Sequence, residues 1–219
     1  MQGERLQRVF FTRDGLTVAK ELLGKVLVHE TPIGTIRGII TEVESYMGVE
    51  DKGSHTYGGR RTERTEPMFH IGGTSYVYFT YGMYHCMNIA TDVVDNPQAV
   101  LIRSVVPADK ESEERMLQLR LEASLASIRK RMVAKGEELT ISEVERKKKG
   151  ILKHLADGPG KLCIAMGVNK QQNDVDMVES KTFYVTEGVA VLPEEIQTGK
   201  RIGIDYAEEA ADYLWRFFM

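Results

Sequence analysis

The stretch Thr74-Ser75-Tyr76-Val77-Tyr78-Phe79-Thr80-Tyr81-Gly82-Met83-Tyr84-His85-Cys86-Met87-Asn88-Ile89-Ala90 decides the fold. It reads as two aromatic and apolar strands, Thr74 to Tyr81 and Met83 to Ala90, parted by one glycine. A glycine there supplies the left-handed backbone angle that a tight hairpin needs. Upstream, Lys25 to His29 and Thr35 to Tyr46 read as strands around a Pro32–Gly34 turn, preceded by a helix over Leu16–Leu23 that Gly24 closes. Downstream, Ala99 to Val106 is a β-branched run stopped by Pro107. From Asp109 to Lys135 the apolar spacing becomes helical, and Gly158 to Val168 reads as a further helix. Phe183–Val185 and Val189–Leu192 are expected to form a late hairpin about Glu187–Gly188, and Arg201–Ile204 a last strand. Strands first and helices afterwards predict an α+β class, a single mixed domain over 1–219 in which 109–150 is an inserted helical segment.

Composition excludes several alternatives. The 219 residues are 42% hydrophobic and 28% charged, so the chain is neither disordered nor a small disulfide scaffold. No secretory signal and no membrane-length apolar run is visible, which leads to the expectation of no membrane partner. Cys86 and Cys163 stand 77 positions apart, fit no zinc spacing, and are expected to be reduced, buried thiols. A net charge of −3 argues mildly against a nucleic-acid partner when taken alone. Gly158-Pro159-Gly160-Lys161-Leu162 lacks the spacing and hydroxyl of a phosphate loop, and no HExxH, GxSxG or GxGxxG occurs.

The chemistry concentrates between Thr41 and Arg103. Strand alternation puts Glu42, Glu44 and Tyr46 on one face. Six of the nine tyrosines fall within residues 46–84, and tyrosine suits surfaces that are half apolar and half wet. Tyr46 and Tyr78 could hold a planar base between them, and an aromatic at the hairpin tip could wedge a duplex. Lys52, Arg60, Arg61 and Arg64 flank Gly58-Gly59, a modest basic excess suited to phosphates. Arg103 interrupts an apolar strand and therefore needs a carboxylate partner, for which Glu44 is the natural candidate.

Glu44-Ser45-Tyr46-Met47-Gly48, Glu50-Asp51 with His55, and the hairpin block Tyr76 to Ile89 closely resemble the alkyladenine (3-methyladenine) DNA glycosylase family. Val100–Arg103, Gly158–Cys163 and Arg201–Ile204 extend the resemblance over about residues 10–205. It implies a curved antiparallel sheet with a protruding hairpin and surrounding helices. It further implies a monofunctional enzyme of base excision repair that excises alkylated and deaminated purines, among them 3-methyladenine, 7-methylguanine, hypoxanthine and ethenoadenine. Glu44 resembles the base that activates water, with Arg103 and the Ile202 carbonyl holding that water. Tyr46, His55 and Tyr78 resemble the walls around a flipped base, and Asn88 the residue that clashes with guanine's amino group. Tyr81 resembles the wedge, with Met83 beside it, and Arg60, Arg61 and Arg64 are expected on the DNA backbone. No cofactor, no metal and a monomer acting on double-stranded DNA with damaged purines are expected, in the nucleoid if bacterial or the nucleus if eukaryotic.

Three further expectations follow from the residues. Glu44 should serve as base near the ordinary glutamate pKa of about 4.3. His85 stands where the family commonly has another aromatic, and 109–150 is longer and more charged than the resemblance leads one to expect. A carbohydrate glycosidase using Glu42 and Glu44 as its carboxylate pair is the rival enzyme. However, two carboxylates about 7 Å apart on one strand face would flank the same side of a sugar. A catalytically silent lesion-recognition protein is the rival binder.

Overall fold

The computed structural model describes residues 3–80, 82–133 and 140–219. Helices α1 (Arg8–Phe11) and α2 (Gly15–Leu22) lead into β1 (Val26–Thr31) and the long β2 (Gly34–Tyr46). The hairpin β3 (Ser75–Thr80) and β4 (Tyr84–Thr91) is followed by β5 (Gln98–Pro107). Helices α3 (Lys110–Val133), α4 (Ile141–Lys153) and α5 (Pro159–Ala165) come next, then β6 (Phe183–Thr186), β7 (Gln197–Gly199) and β8 (Arg216–Phe218). The strands form one antiparallel, curled sheet in the order β3-β4-β5-β2-β1-β6, with β8 joining β2 to β7. This is the expected α+β class.

β2 organises the molecule because it changes faces midway. Ile36 and Ile40 point into the apolar core, and so does Val43, which cannot happen in an unbroken alternation. The pairing with β5 slips at Thr41 and again at Arg103, so each strand carries one extra residue. Bulges of this kind re-aim side chains. Here they turn Glu42, Glu44 and Tyr46 away from the core. Along the other edge, β1 pairs with residues 34–39 and β8 takes over at residues 42–44.

The core lies on one face of the sheet. Val77, Met87, Ile89, Val100 and Ile102 meet Leu22 of α2, Met116 of α3 and Leu162 of α5. Asp14 caps α2 by accepting from the Thr17 N–H at 3.0 Å, and Gly24 ends it at φ +79°. Gly82 turns the β3–β4 hairpin at φ +64°. The expected helix over 109–135 is α3, its last positions falling in 134–139, outside the described residues. Thr140 and Glu143 start α4 with a reciprocal capping box, so the insertion holds a helix pair.

Two expected strands are corrected. Residues 189–192 form no hairpin arm. The chain turns at Gly188 across Gly24, where a Cβ would meet the Gly24 oxygen at 2.1 Å, and the Val189 N–H goes to that same carbonyl. β6 pairs with β1 instead. Arg201–Ile204 is not a strand either, because its polar groups are drawn to buried carboxylates in place of a ladder. Among the described residues no helix is long and apolar enough to cross a membrane.

Candidate active site

Glu44 sits on the polar face of the sheet with no exposed surface. Its Oε1 accepts from the Ile202 backbone N–H at 2.7 Å and lies 3.2 Å from Arg103 Nη1. Its Oε2 accepts from the Tyr46 hydroxyl at 2.8 Å. Burial nevertheless dominates and pushes the Glu44 carboxyl above its ordinary range, against Arg103, the Ile202 N–H, Tyr46 and Arg201. The expectation of an unshifted glutamate is therefore corrected. Ile202, expected beside Glu44 through its carbonyl's hold on water, reaches Glu44 with its backbone N–H.

Arg103 does have the expected carboxylate partner, and a second one. Its Nε donates to Glu42 at 3.2 Å, and Arg216 Nη1 donates to the same Glu42 oxygen at 2.9 Å. Two guanidiniums thus compensate Glu42, which leaves it a poor second carboxylate for a glycosidase pair.

A cavity of about 340 Å³ opens beside this centre, lined by Tyr46, His55, Tyr76, Tyr78, Asn88 and Arg103 among others. The edge of the His55 ring meets Tyr78 at 4.7 Å between centroids, and His55 Nδ1 is 2.9 Å from the Tyr76 hydroxyl. Burial, reinforced by Arg64 and Arg60, lowers the His55 pKa to about 4, so the ring is neutral at pH 7. Burial raises Tyr76 to about 12, and Tyr46 and Tyr78 well above the ordinary phenol, so all three keep their protons. The Asn88 amide donates to the Tyr76 carbonyl at 3.0 Å, which fixes how it faces the cavity.

Two groups escaped the sequence reading. Tyr76 is a full member of the cavity wall, although only its strand face was legible. Arg201 is entirely buried and grips Asp51 with both terminal nitrogens, at 2.5 and 2.7 Å. It also donates to the carbonyls of Ser45 and Ala210, and its guanidinium lies 4.7 Å over Tyr46 and 5.0 Å over Trp215. This clamp sets the position of the next residue, Ile202, and so of the N–H on Glu44. Residue spacing alone held no signal that Asp51 and Arg201 would meet.

The expected DNA-facing residues separate into different situations. Arg64 lies 5.0 Å over the Tyr78 ring, at the cavity wall. Arg60 is exposed and lines a smaller adjoining cavity of about 280 Å³ with Arg64 and Lys52. Arg61 is instead compensated by Glu66 and Asp95 and covers Phe69. Its charge is therefore already spent. Met83 is exposed at the hairpin tip, as a DNA contact would require. Tyr81 lies outside the described residues. Cys86 and Cys163 are free and buried as expected, and no group of three or more metal-ligating side chains is found among the described residues.

A buried carboxylate beside a cavity walled by tyrosine and histidine rings suits an enzyme that hydrolyses a bond next to a planar heterocycle. Comparison with known proteins narrows that class. The methylpurine-DNA glycosylase (MPG) family matches this chain over residues 9–219. A protein of Clostridium perfringens (strain SM101 / Type A) is 44% identical over 216 residues, covering 98% of this chain and 95% of its own length. One of Desulfitobacterium hafniense (strain Y51) is also 44% identical, covering 99% and 95%, and one of Clostridium tetani 41%, covering 98% and 95%. All three carry the provisional name 3-methyladenine DNA glycosylase. The chain belongs to the methylpurine-DNA glycosylase family. It is a DNA glycosylase, a hydrolase of N-glycosyl bonds that serves DNA repair.

Proposed function

We propose that this enzyme acts as a monomer without a cofactor and excises alkylated and deaminated purines from duplex DNA. Its substrates would be 3-methyladenine, 7-methylguanine, hypoxanthine and ethenoadenine, and its product an abasic site. The observation that carries this reading is the buried Glu44 carboxylate, held by Ile202, Tyr46 and Arg103 at the side of a tyrosine-lined cavity. A flipped purine would occupy that cavity, with Tyr46, His55 and Tyr78 as its walls.

Glu44 takes a proton from water as the water oxygen bonds to the sugar C1′. The N-glycosyl bond breaks and its electron pair leaves with the base. 3-Methyladenine and 7-methylguanine carry positive charge while bonded to the sugar and depart neutral without added acid, whereas the uncharged hypoxanthine and ethenoadenine need a proton delivered to the departing base. The elevated pKa of Glu44 makes it a stronger base than a free glutamate while it is ionised. Asn88, pinned by the Tyr76 carbonyl, would stand against a guanine amino group. Arg60 and Arg64 would meet phosphates, and the hairpin tip with Tyr81 and Met83 would fill the gap left in the duplex.

The test is incubation with duplexes carrying hypoxanthine, ethenoadenine or 7-methylguanine, followed by alkaline cleavage at abasic sites. Strand cleavage dependent on the enzyme is expected. Binding without base release from any modified duplex would sink the reading and favour the silent lesion-recognition protein.

A further inference from the structure

The cations nearest the base cavity are mostly spent inside the protein. Lys52 pairs with Glu208 and Glu209, Arg61 with Glu66 and Asp95, Lys161 with Asp157, and Arg201 with Asp51. α4 is built differently. It carries Arg146, Lys147, Lys148, Lys149 and Lys153 against Glu143 and Glu145, a net +3 in a chain of net −3. None of those five cations lies within ion-pair distance of a carboxylate among the described residues, although Arg146 acts at longer range on Glu143, which Thr140 holds in the capping box.

The groove between α3 and α4 has the same sign. A cavity of about 620 Å³ there is lined by Arg120, Arg146, Lys147, Ile128 and Ile151, with Glu143 the acid among the described residues. Arg120 Nε is buried with no hydrogen-bond partner among the described residues. Burial lowers the pKa of Arg120, and both Asp157 and Tyr84 of the hairpin act on its charge. α4 ends at Lys153, six positions before Pro159, which lines the base cavity. The basic helix is thus tied at its C-terminal end to the rim of the site.

We propose that α4 and its groove with α3 bind the phosphate backbone of the same duplex, beyond the damaged nucleotide. The proposal rests on the duplex-DNA reading above. A helix of 13 residues is about 20 Å long, enough to follow roughly six base pairs. Flexible lysines meet phosphates as point charges without reading sequence, which is what a search across undamaged DNA requires. The groove also carries Ile128 and Ile151, and Ile141 and Leu152 are exposed on α4, so an anionic membrane surface is the competing occupant that the test must separate from DNA.

The experiment compares wild type with K147A/K148A/K149A, exposed or half-exposed positions where alanine favours the helix. Affinity for undamaged 12- and 30-base-pair duplexes is measured across a salt series, alongside single-turnover excision from a lesion-bearing 12-mer at saturating enzyme. The variant should bind the 30-mer at least about tenfold more weakly, with a salt slope shallower by about 2 to 3, since each phosphate contact contributes about 0.9. Binding to the 12-mer should change less and saturated excision should hold. Unchanged slopes on the 30-mer, or equal losses on both lengths, would overturn the proposal. So would tighter binding to anionic vesicles than to DNA, abolished by the same substitutions. Wild-type protein that excises nothing would instead defeat the parent reading, whatever the slopes.

Discussion

The two faces of β2 to β5 are made of alternate residues in the same strands, yet they are opposite in physics. One face carries Val43, Val77, Met87, Ile89, Val100 and Ile102 into a dry core. The other carries Tyr46, Tyr76, Tyr78, Asn88 and Arg103 around a cavity, with Glu44 buried behind them. The first face supplies stability through apolar burial. The second consumes some of it, because a carboxylate is buried with its pKa raised and a histidine is buried neutral. Substitutions on the two faces should therefore fail in different currencies.

The largest effect is expected at Glu44. Glu44→Gln should lower single-turnover excision by about 10²- to 10⁴-fold, the usual worth of a general base, while lesion binding persists. Stability should not fall. A carboxyl whose folded pKa is raised contributes most below its unfolded pKa, and that contribution is lost as pH rises through the folded value. Glutamine carries no charge to bury and escapes that loss. Thermal melts from pH 4 to 8 check the second claim. A fully active variant would remove Glu44 from the chemistry.

The opposite face should behave in reverse. Ile102→Ala empties part of the core and should cost about 2–5 kcal/mol in denaturant unfolding. Excision per folded molecule should stay close to wild type. If the rate falls as far as in Glu44→Gln at temperatures where the protein is folded, the two faces are not separable.

How much of this contrast was legible depends on distance along the chain. The hairpin, the long β2 and the tyrosine-rich face follow from local alternation, so Tyr46, Tyr78 and Asn88 were placed correctly relative to their strands. Arg103 announced its need for a carboxylate by being charged in an apolar run. The bulges at Thr41 and Arg103 were not legible, because they arise from pairing two strands about sixty residues apart. Without them Glu44 would share the face of Ile40 and point into the core. Arg201 failed for the same reason in sharper form. Its partner Asp51 is 150 residues away, and the extended-looking Arg201–Ile204 segment yields its ladder role to two buried carboxylates. Arg61 shows the converse: local composition marks a cation, but only tertiary contacts reveal its pairing with Glu66 and Asp95.

A smaller effect is expected at His55. The unfolded chain takes up a proton near pH 6.5, whereas the folded ring resists protonation until about 4. Stability present above pH 6.5 should therefore decline as pH falls toward 4, by up to about 3 kcal/mol from this group. In His55→Gln that portion of the decline should vanish in urea titrations at stepped pH. A decline of unchanged size would mean that another group carries the acid sensitivity.

The finest test concerns a residue that acts only through Glu44. Arg201 is one of the cations that oppose the burial of the Glu44 charge, and it also holds the backbone that delivers the Ile202 N–H. Arg201→Gln removes the charge, so the Glu44 pKa should rise further and the acid limb of the pH–rate profile should move to higher pH. Arg201→Lys keeps a cation but loses the two-pronged grip on Asp51, so its limb should stay near wild type while the pH-independent plateau drops. A purely structural role would lower the plateau in both variants and move the limb in neither. The separation of limb from plateau therefore decides whether the buried clamp tunes the base or merely holds the chain, on a face where every buried charge is answered by another.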